Sequence, residues 1–228
     1  GIMNDNRIYN FNPGPAALLP VVVLALALFL GAVSPVAADD LSTGRKVLVL
    51  FNGEEGENAE NTIGTEGLAM VFNYYGLKPV YRDVTQRPLP TEKEMDGVRG
   101  IVSVFYQESM EDAEPYLRWI NTQLDKGRKF VVFGSLGAQP DPGDDDFTDL
   151  VYSVTERMGY KQIGLLSHER YLFRYLKRDP DVVDFERKYP RVPPAYINFR
   201  RVNEDLNIHL SLELKDRPGS RSVMVGTS

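Results

Sequence analysis

Short strand-like runs alternate with helical patterns along most of this chain, and few folds accommodate that order. Runs rich in β-branched and aromatic residues, typical of strands, lie at 46–51, 79–81, 100–105 and 129–133. An order of strands and helices favours a parallel sheet, because parallel neighbours need a long crossover connection. We therefore predict an α/β fold with a mostly parallel sheet, in which 100–105 and 129–133 are adjacent or near-adjacent buried strands.

The helical patterns consist of apolar residues that recur on one face and are followed by a glycine. The apolar positions are Leu68, Val71, Phe72 and Tyr75, then Ala113, Leu117, Ile120 and Leu124, and finally Leu150, Val151, Val154 and Met158. Gly76, Gly127 and Gly159 follow them. Glycine at this position ends a helix because it adopts the left-handed conformation without a Cβ clash. Strands and helices together predict one α/β domain over residues 39–165.

Residues 166–228 have a different pattern, with no convincing helix. Aromatic and β-branched runs at 171–176, 196–202, 207–214 and 222–225 are separated by proline-rich or polar turns. This spacing predicts a β-rich, antiparallel extension. Because almost nothing follows the last strand-like run, we expect the extension to be truncated.

The first 38 residues are typical of a signal peptide with an atypical N-terminal extension. Residues 16–33 carry no charge, and Ser34–Ala38 supplies small residues where a signal peptidase would cleave. Cleavage after Ala38 would make Asp39 the first residue of an exported chain, periplasmic or extracellular. The alternative is an anchor formed by residues 16–33, since the run approaches the roughly 20 residues that span a bilayer. Membrane contact is expected only through this segment if it is not cleaved.

Charge and composition exclude several classes of protein. The formal net charge is -6, with no cysteine and two histidines. A chain without cationic excess is not expected to bind nucleic acid. The absence of cysteine excludes disulfides, thiolate nucleophiles and Cys-type zinc sites. No nucleotide-binding glycine motif is present, so we predict no cofactor and no metal.

Residues 6–20 resemble the extreme N-terminus of phosphoserine aminotransferases, which use pyridoxal phosphate. The resemblance covers Asn6-Arg7-Ile8-Tyr9-Asn10-Phe11-Asn12-Pro13-Gly14-Pro15 and the five residues that follow, and then stops. An aminotransferase would continue with an amphipathic helix, where this chain has its apolar run. A fused or mispredicted start upstream of a signal peptide explains the mixture better, although an aminotransferase-like fragment stays an alternative.

Four further segments carry a second resemblance. They are Leu50–Gly53, Tyr74–Leu77 with Val80–Val84, Gly127–Ala138, and Val183–Arg187 with Pro193–Tyr196. They resemble the N-terminal region of secreted bacterial proteins similar to the Pel exopolysaccharide-modifying protein. The resemblance implies a three-layer Rossmannoid domain, similar to flavodoxins and class I amidotransferases. Such proteins also carry glycoside hydrolase or polysaccharide deacetylase modules, and the resemblance implies that this module is missing from the given chain.

The fold places candidate ligand-binding residues beyond the carboxyl ends of the strands, where open parallel sheets bind ligands. The candidates are Asn52, Glu54, Asp83, Tyr106, Gln107 and Ser135. The alternative is that these polar residues only cap helices and complete turns. Tyr106 could stack on a sugar ring, although aromatic residues at such positions more often pack against the protein.

Ser135 is the candidate nucleophile for a hydrolase. It follows a central strand, as in the nucleophile elbow of α/β hydrolases. His168 would be the base, with an aspartate from 144–146 orienting it. The helix that normally follows the elbow is missing from the pattern. The amidotransferase relatives carry a cysteine at this elbow, so glutamine hydrolysis is not expected here.

Two acidic loops, 54–60 and 141–149, are expected to give the ligand cleft a negative rim. The aspartates at 141–149 match no EF-hand spacing, and we expect the last of them to cap a helix that begins near Phe147. A negative rim repels anionic polymers and favours neutral or cationic sugars.

The sequence thus predicts an accessory, non-catalytic Rossmannoid domain of an exported exopolysaccharide-processing protein. A polysaccharide or a downstream catalytic domain would be its partner. A small serine hydrolase that uses Ser135 is the alternative, and whether this chain alone is an enzyme stays open.

Overall fold

The structure, a computed structural model, describes residues 44–86, 88–106, 109–163, 173–182, 197–214 and 222–228. The predicted signal segment, residues 1–38, lies outside the described residues. Within those ranges, no helix combines the length and apolar character needed to cross a membrane.

A four-stranded parallel sheet forms the centre of the fold. Its strands are β1 (Lys46–Phe51), β2 (Lys78–Asp83), β3 (Val98–Phe105) and β4 (Lys129–Gly134), in the spatial order β2-β1-β3-β4. All three neighbouring pairs are parallel. The predicted parallel sheet with 100–105 and 129–133 adjacent is therefore confirmed. The prediction that both strands are buried holds for β3 only, because β4 lies at the edge of the sheet and its residues are at most partly buried.

Among the described residues, four α-helices connect these strands or follow the last of them. They are α1 (Ile63–Glu66), α2 (Ala69–Tyr74), α3 (Glu114–Asp125) and α4 (Asp145–Arg157). The three glycines predicted to end helices have positive φ angles, 65° at Gly76, 71° at Gly127 and 87° at Gly159. The short helix α1 was not predicted, because its four residues carry no apolar periodicity.

Apolar residues pack on both faces of the sheet. In β1, Val47, Val49 and Phe51 belong to one hydrophobic cluster, which contains Phe72 of α2 and Leu68 just before that helix. The alternate residues Leu48 and Leu50 belong to a second cluster, which contains Leu117 and Ile120 of α3 and Val151 and Val154 of α4. Successive side chains of a strand point to opposite faces, so β1 contributes to both clusters. This arrangement is consistent with a Rossmann-like fold.

Two small antiparallel sheets follow α4. In the first, β5 (Tyr160–Gln162) pairs with β7 (Phe199–Arg201). In the second, β6 (Phe173–Arg178), β8 (Asn207–Leu214) and β9 (Ser222–Thr227) lie in the order β6-β8-β9. The antiparallel character predicted for the C-terminal part is confirmed. Strand β5 was not predicted, because three residues are too few to show an alternating pattern.

Candidate functional site

Asn52, the first residue after β1, has a structural role in the turn that it begins. Its Oδ1 accepts a hydrogen bond of 2.9 Å from the backbone N–H of Glu54 and so caps a short 3₁₀ helix, Gly53–Glu55. Only 1% of Asn52 is exposed, whereas Glu54 is exposed. Of these two predicted ligand-binding residues, therefore, only Glu54 presents its side chain to solvent.

Asp83 joins the carboxyl ends of β1 and β2. Its Oδ1 accepts hydrogen bonds from the backbone N–H of Gly53 at 3.1 Å and from the N–H and hydroxyl of Thr85 at 2.9 and 2.7 Å. A Cβ atom at Gly53 would clash with the Asp83 carboxylate, so glycine favours this close approach of the two loops. Asp83 is buried, and its carboxylate holds the loops together.

Ser135 is buried in the turn that follows β4. Its backbone N–H donates to the carbonyl of Phe105 at 3.0 Å, and its Oγ accepts the N–H of Gly137 at 2.9 Å. With 4% of the residue exposed, the hydroxyl lacks the access that a nucleophile needs. Its predicted base, His168, and the candidate Gln107 lie outside the described residues. The Ser135–His168 pair therefore stays a prediction.

Tyr106 and Glu55 connect the carboxyl ends of β3 and β1. The backbone N–H of Tyr106 donates to both carboxylate oxygens of Glu55, at 3.2 and 3.0 Å. The Tyr106 side chain is half exposed, at 52% of the residue. The chain runs outward from β1 to β2 and returns to β3 on the other side of β1, and this reversal is where open α/β sheets leave a ligand crevice.

Two more glutamates, Glu57 and Glu66, interact electrostatically with Tyr106. Burial, together with the negative charges of Glu55 and Glu66, raises the pKa of Glu57 to about 7. Burial and the charges of Glu57, Glu66 and Glu55 raise the pKa of Tyr106 to about 12. Because the charges of Glu55 and Glu66 act on Glu57, and all three glutamates act on Tyr106, we refer to Glu55, Glu57 and Glu66 as the glutamate cluster.

Glu57 is the most unusual member of the glutamate cluster. Its Oε2 is buried and has no hydrogen-bond partner among the residues that the structure describes. Desolvation disfavours a charged carboxylate, and like charges disfavour it further. Perturbed carboxyls beside a crevice are typical of functional sites, although structural networks also contain them.

The sequence pattern had placed Glu57 in a flexible acidic loop and had not singled out Glu66. The available signal was the concentration of glutamates at 54–60, directly after the first parallel strand, together with Glu66 at the end of α1. What the pattern lacked was the position of Tyr106 against that loop, because the two are 51 residues apart in the chain.

A separate cavity of about 520 Å³ lies between the loop that follows β3 and the loop that follows β4. It is lined by 109–114, 139–142 and Phe147, and its carboxylates are Glu111, Asp112, Glu114 and Asp141. The predicted negative rim at 141–149 therefore borders a real concavity, beyond β3 and β4 rather than at the glutamate cluster.

The aspartates near this cavity also complete turns. The side chain of Asp144 accepts from the backbone N–H of Phe147 at 2.9 Å and caps α4, and that of Asp141 accepts from Gly143 at 2.8 Å. The predicted capping is confirmed, with the helix beginning two residues earlier than expected. In the described part of the chain, no three His, Asp or Glu side chains are arranged to hold a metal ion.

Models of protein families, curated proteins and solved structures show no significant match to this chain.

Proposed function

We propose that this chain is a carbohydrate-binding Rossmannoid module of an exported exopolysaccharide-processing protein, with its ligand at the carboxyl ends of β1 and β3. One observation carries the proposal: the half-exposed ring of Tyr106 lies beside the glutamate cluster at the reversal of strand order. Aromatic rings pack on the apolar faces of sugar rings, and nearby carboxylates accept sugar hydroxyls.

The charge of the site favours neutral or cationic sugars. Three glutamates surround Tyr106, and the whole chain carries a formal charge of -6. An ammonium group would pair with these carboxylates and relieve their mutual repulsion, whereas a uronate would add to it. Partly deacetylated amino-sugar chains are the ligand class that fits this chemistry.

The buried polar residues favour a binding role over catalysis at this edge. The side chains of Asn52, Asp83 and Ser135 all accept backbone hydrogen bonds within turns. The proposal includes the three-layer arrangement and export with Asp39 as the first mature residue. N-terminal sequencing of the secreted or periplasmic form tests the export, and a cytosolic chain that begins before Arg7 would contradict it.

Titration with oligosaccharides of different charge tests the binding proposal. Glucosamine, N-acetylglucosamine and glucuronate oligomers of equal length would be titrated at low salt into the chain beginning at Asp39. We expect affinity to decrease in that order. Equal or tighter binding of the glucuronate set would overturn the proposal.

Two tyrosine variants locate the site. Tyr106→Ala should weaken binding of the glucosamine oligomer by about tenfold, as expected for one lost aromatic contact. Tyr74, on α2, is 83% exposed and supplies the matched control. Tyr74→Ala should leave the affinity unchanged, and equal effects of the two substitutions would contradict the location.

A further inference from the structure

The antiparallel sheet β6-β8-β9 contains an irregularity at His209. Ile208 of β8 lies opposite Gly226 of β9, but Leu210 lies opposite Val225, so the register shifts between Ile208 and Leu210. The register returns between Leu210 and Ser211, so the irregularity is confined to the segment around His209. Local irregularities of this kind re-aim side chains.

The His209 ring lies between two hydrogen-bonding side chains. Its Nε2 is 2.9 Å from Thr227 Oγ1, and its Nδ1 is 3.4 Å from Asp179 Oδ2. A carboxylate only accepts hydrogen bonds, so the neutral ring carries its proton on Nδ1 and leaves Nε2 to accept the Thr227 hydroxyl. Thr227, His209 and Asp179 are thus arranged as a nucleophile, a base and an acid that orients the base. The contact between base and acid is often long before substrate binds, as the 3.4 Å distance is here.

The backbone fixes the acid beside the histidine. The N–H of Asp179, just after β6, donates to the carbonyl of His209 at 2.8 Å. The N–H of Asp181 donates to Asp179 Oδ1 at 3.1 Å, which leaves Oδ2 for the ring. These two hydrogen bonds fix the Asp179 carboxylate next to Nδ1 of His209.

The base is more buried than the nucleophile, as acyl transfer to an approaching substrate requires. The His209 side chain is 11% exposed, so bulk solvent is largely excluded from the ring, while its exposed part admits the single water that deacylation needs. Thr227 is half-buried, between the exposed Gly226 and Ser228, on the outer strand of its sheet. The hydroxyl is thus positioned where a small substrate can approach.

We propose that Asp179, His209 and Thr227 form an acyl-transfer site that hydrolyses small carboxylic esters. Thr227 Oγ attacks the ester carbonyl carbon while His209 Nε2 accepts the hydroxyl proton. The C–O bond to the alcohol breaks, and the same proton passes to the leaving oxygen. Water, deprotonated by His209, then attacks the threonyl ester, which releases the carboxylic acid and restores the hydroxyl. Asp179 holds the ring and stabilises the imidazolium formed in each step.

This site lies in the C-terminal antiparallel sheet and uses none of the residues of the glutamate cluster. It does not depend on the sugar-binding proposal, and it employs a different hydroxyl from Ser135. Loss of esterase activity in a Thr227 variant and loss of sugar binding in Tyr106→Ala are therefore separate results.

Hydrolysis of p-nitrophenyl acetate by the full chain tests the proposal, together with mass spectrometry of the acylated protein. We expect an acetyl group on Thr227 after a short reaction at limiting water or low temperature. Thr227→Val and His209→Gln should each lower the rate by about 100-fold or more, the contribution typical of a positioned base and nucleophile. Asp179→Asn should cause an intermediate loss, and Thr227→Ser should keep the activity.

Thr65→Val is the matched control, because the Thr65 hydroxyl donates to the carbonyl of Ala59 and not to a base. It should leave the rate unchanged. The proposal is overturned if the wild-type chain is not acylated at Thr227, or if folded Thr227→Val keeps the wild-type rate. It is also overturned if Ser135→Ala alone removes the activity. Acylation is mapped on the wild-type chain, so this measurement decides the question even if a variant fails to fold.

Discussion

Glu57 is the residue whose chemistry the fold changes most clearly. Its pKa is raised from 4.5 to about 7, first by burial and then by the charges of Glu55 and Glu66. A carboxyl with this pKa exchanges its proton near neutrality, so the charge of the glutamate cluster changes in the same range. The arrangement costs stability, as expected if the proposed ligand site is at this cluster.

Glu57 should make the stability of the fold depend on pH with a definite sign. Below about pH 4.5 the group is protonated in both states and contributes nothing. Between pH 4.5 and 7 the unfolded chain ionises while the folded chain keeps its proton, so stability falls as pH rises. Above pH 7 the loss is complete, on the order of 1 kcal/mol once solvent screening of this half-buried group is allowed for.

The Glu57→Gln variant tests this dependence. It should raise the free energy of unfolding by about 1 kcal/mol at pH 8 and by almost nothing at pH 4.5, measured by urea denaturation. Glu60→Gln, at an exposed position in the same loop, is the control and should have little effect at either pH. An equal effect of Glu57→Gln at both pH values would contradict the account.

At the scale of elements, helix α4 shows how local chemistry sets a boundary. Asp144 is in an extended conformation and its side chain accepts from Phe147 N–H. Asp145 and Asp146 lie in the first turn and Arg157 in the last, which complements the helix dipole. The helix begins where it does because an aspartate at this position satisfies a backbone donor that otherwise has no partner in the helix.

Removing this cap should destabilise the protein measurably. Asp144→Ala should lower the free energy of unfolding by about 1 kcal/mol, the usual cost of losing an N-cap acceptor. Asp149→Ala, at an exposed position inside the same helix, removes the same charge without removing a cap. Chemical denaturation of both variants provides the comparison, and equal losses would show that charge rather than capping accounts for the effect.

At the scale of the whole molecule, the two hydrophobic clusters meet at the parallel sheet. Phe72 is fully buried in the cluster beside α2, and Leu117 of α3 is fully buried in the other. Strand β1 supplies alternate residues to both clusters. Loss of either cluster should therefore weaken the sheet as a whole.

Large-to-small substitutions in the two clusters, one on each face of the parallel sheet, should destabilise the whole domain to a similar extent. Phe72→Ala and Leu117→Ala should each lower the free energy of unfolding by about 2–5 kcal/mol, within a single cooperative transition. Met70→Ala, on α2 but 75% exposed, should cost far less. If Phe72→Ala left the transition unchanged while Leu117→Ala lowered it, α2 would not belong to the cooperative core.

Local patterns predicted the elements well, because the causes of those elements are local. Apolar runs predicted β1, β3 and β4, and glycines marked the ends of α2, α3 and the last turn after α4. Parallel pairing followed from the alternation of strands and helices. Very short elements such as α1 and β5 were missed, since three or four residues show no periodicity.

The candidate residues that the structure describes follow the carboxyl ends of the strands, but their roles were not predictable. Whether Asn52, Asp83 and Ser135 face a ligand or complete a turn depends on hydrogen bonds formed after folding. Whether the Glu57 carboxyl is ionised near neutral pH depends on how far burial and the neighbouring glutamates raise its pKa.

The sequence by itself thus determined the α/β class, the position of the sheet edge and most element boundaries, because these follow from periodicity and backbone preference within a few residues. Only the tertiary structure decided the order β2-β1-β3-β4, the contact between Glu55 and Tyr106, and the meeting of Asp179, His209 and Thr227. The side-chain contacts among these features join residues that are 18 to 51 positions apart along the chain. Their geometry is set by strand register and by packing, which no local pattern contains.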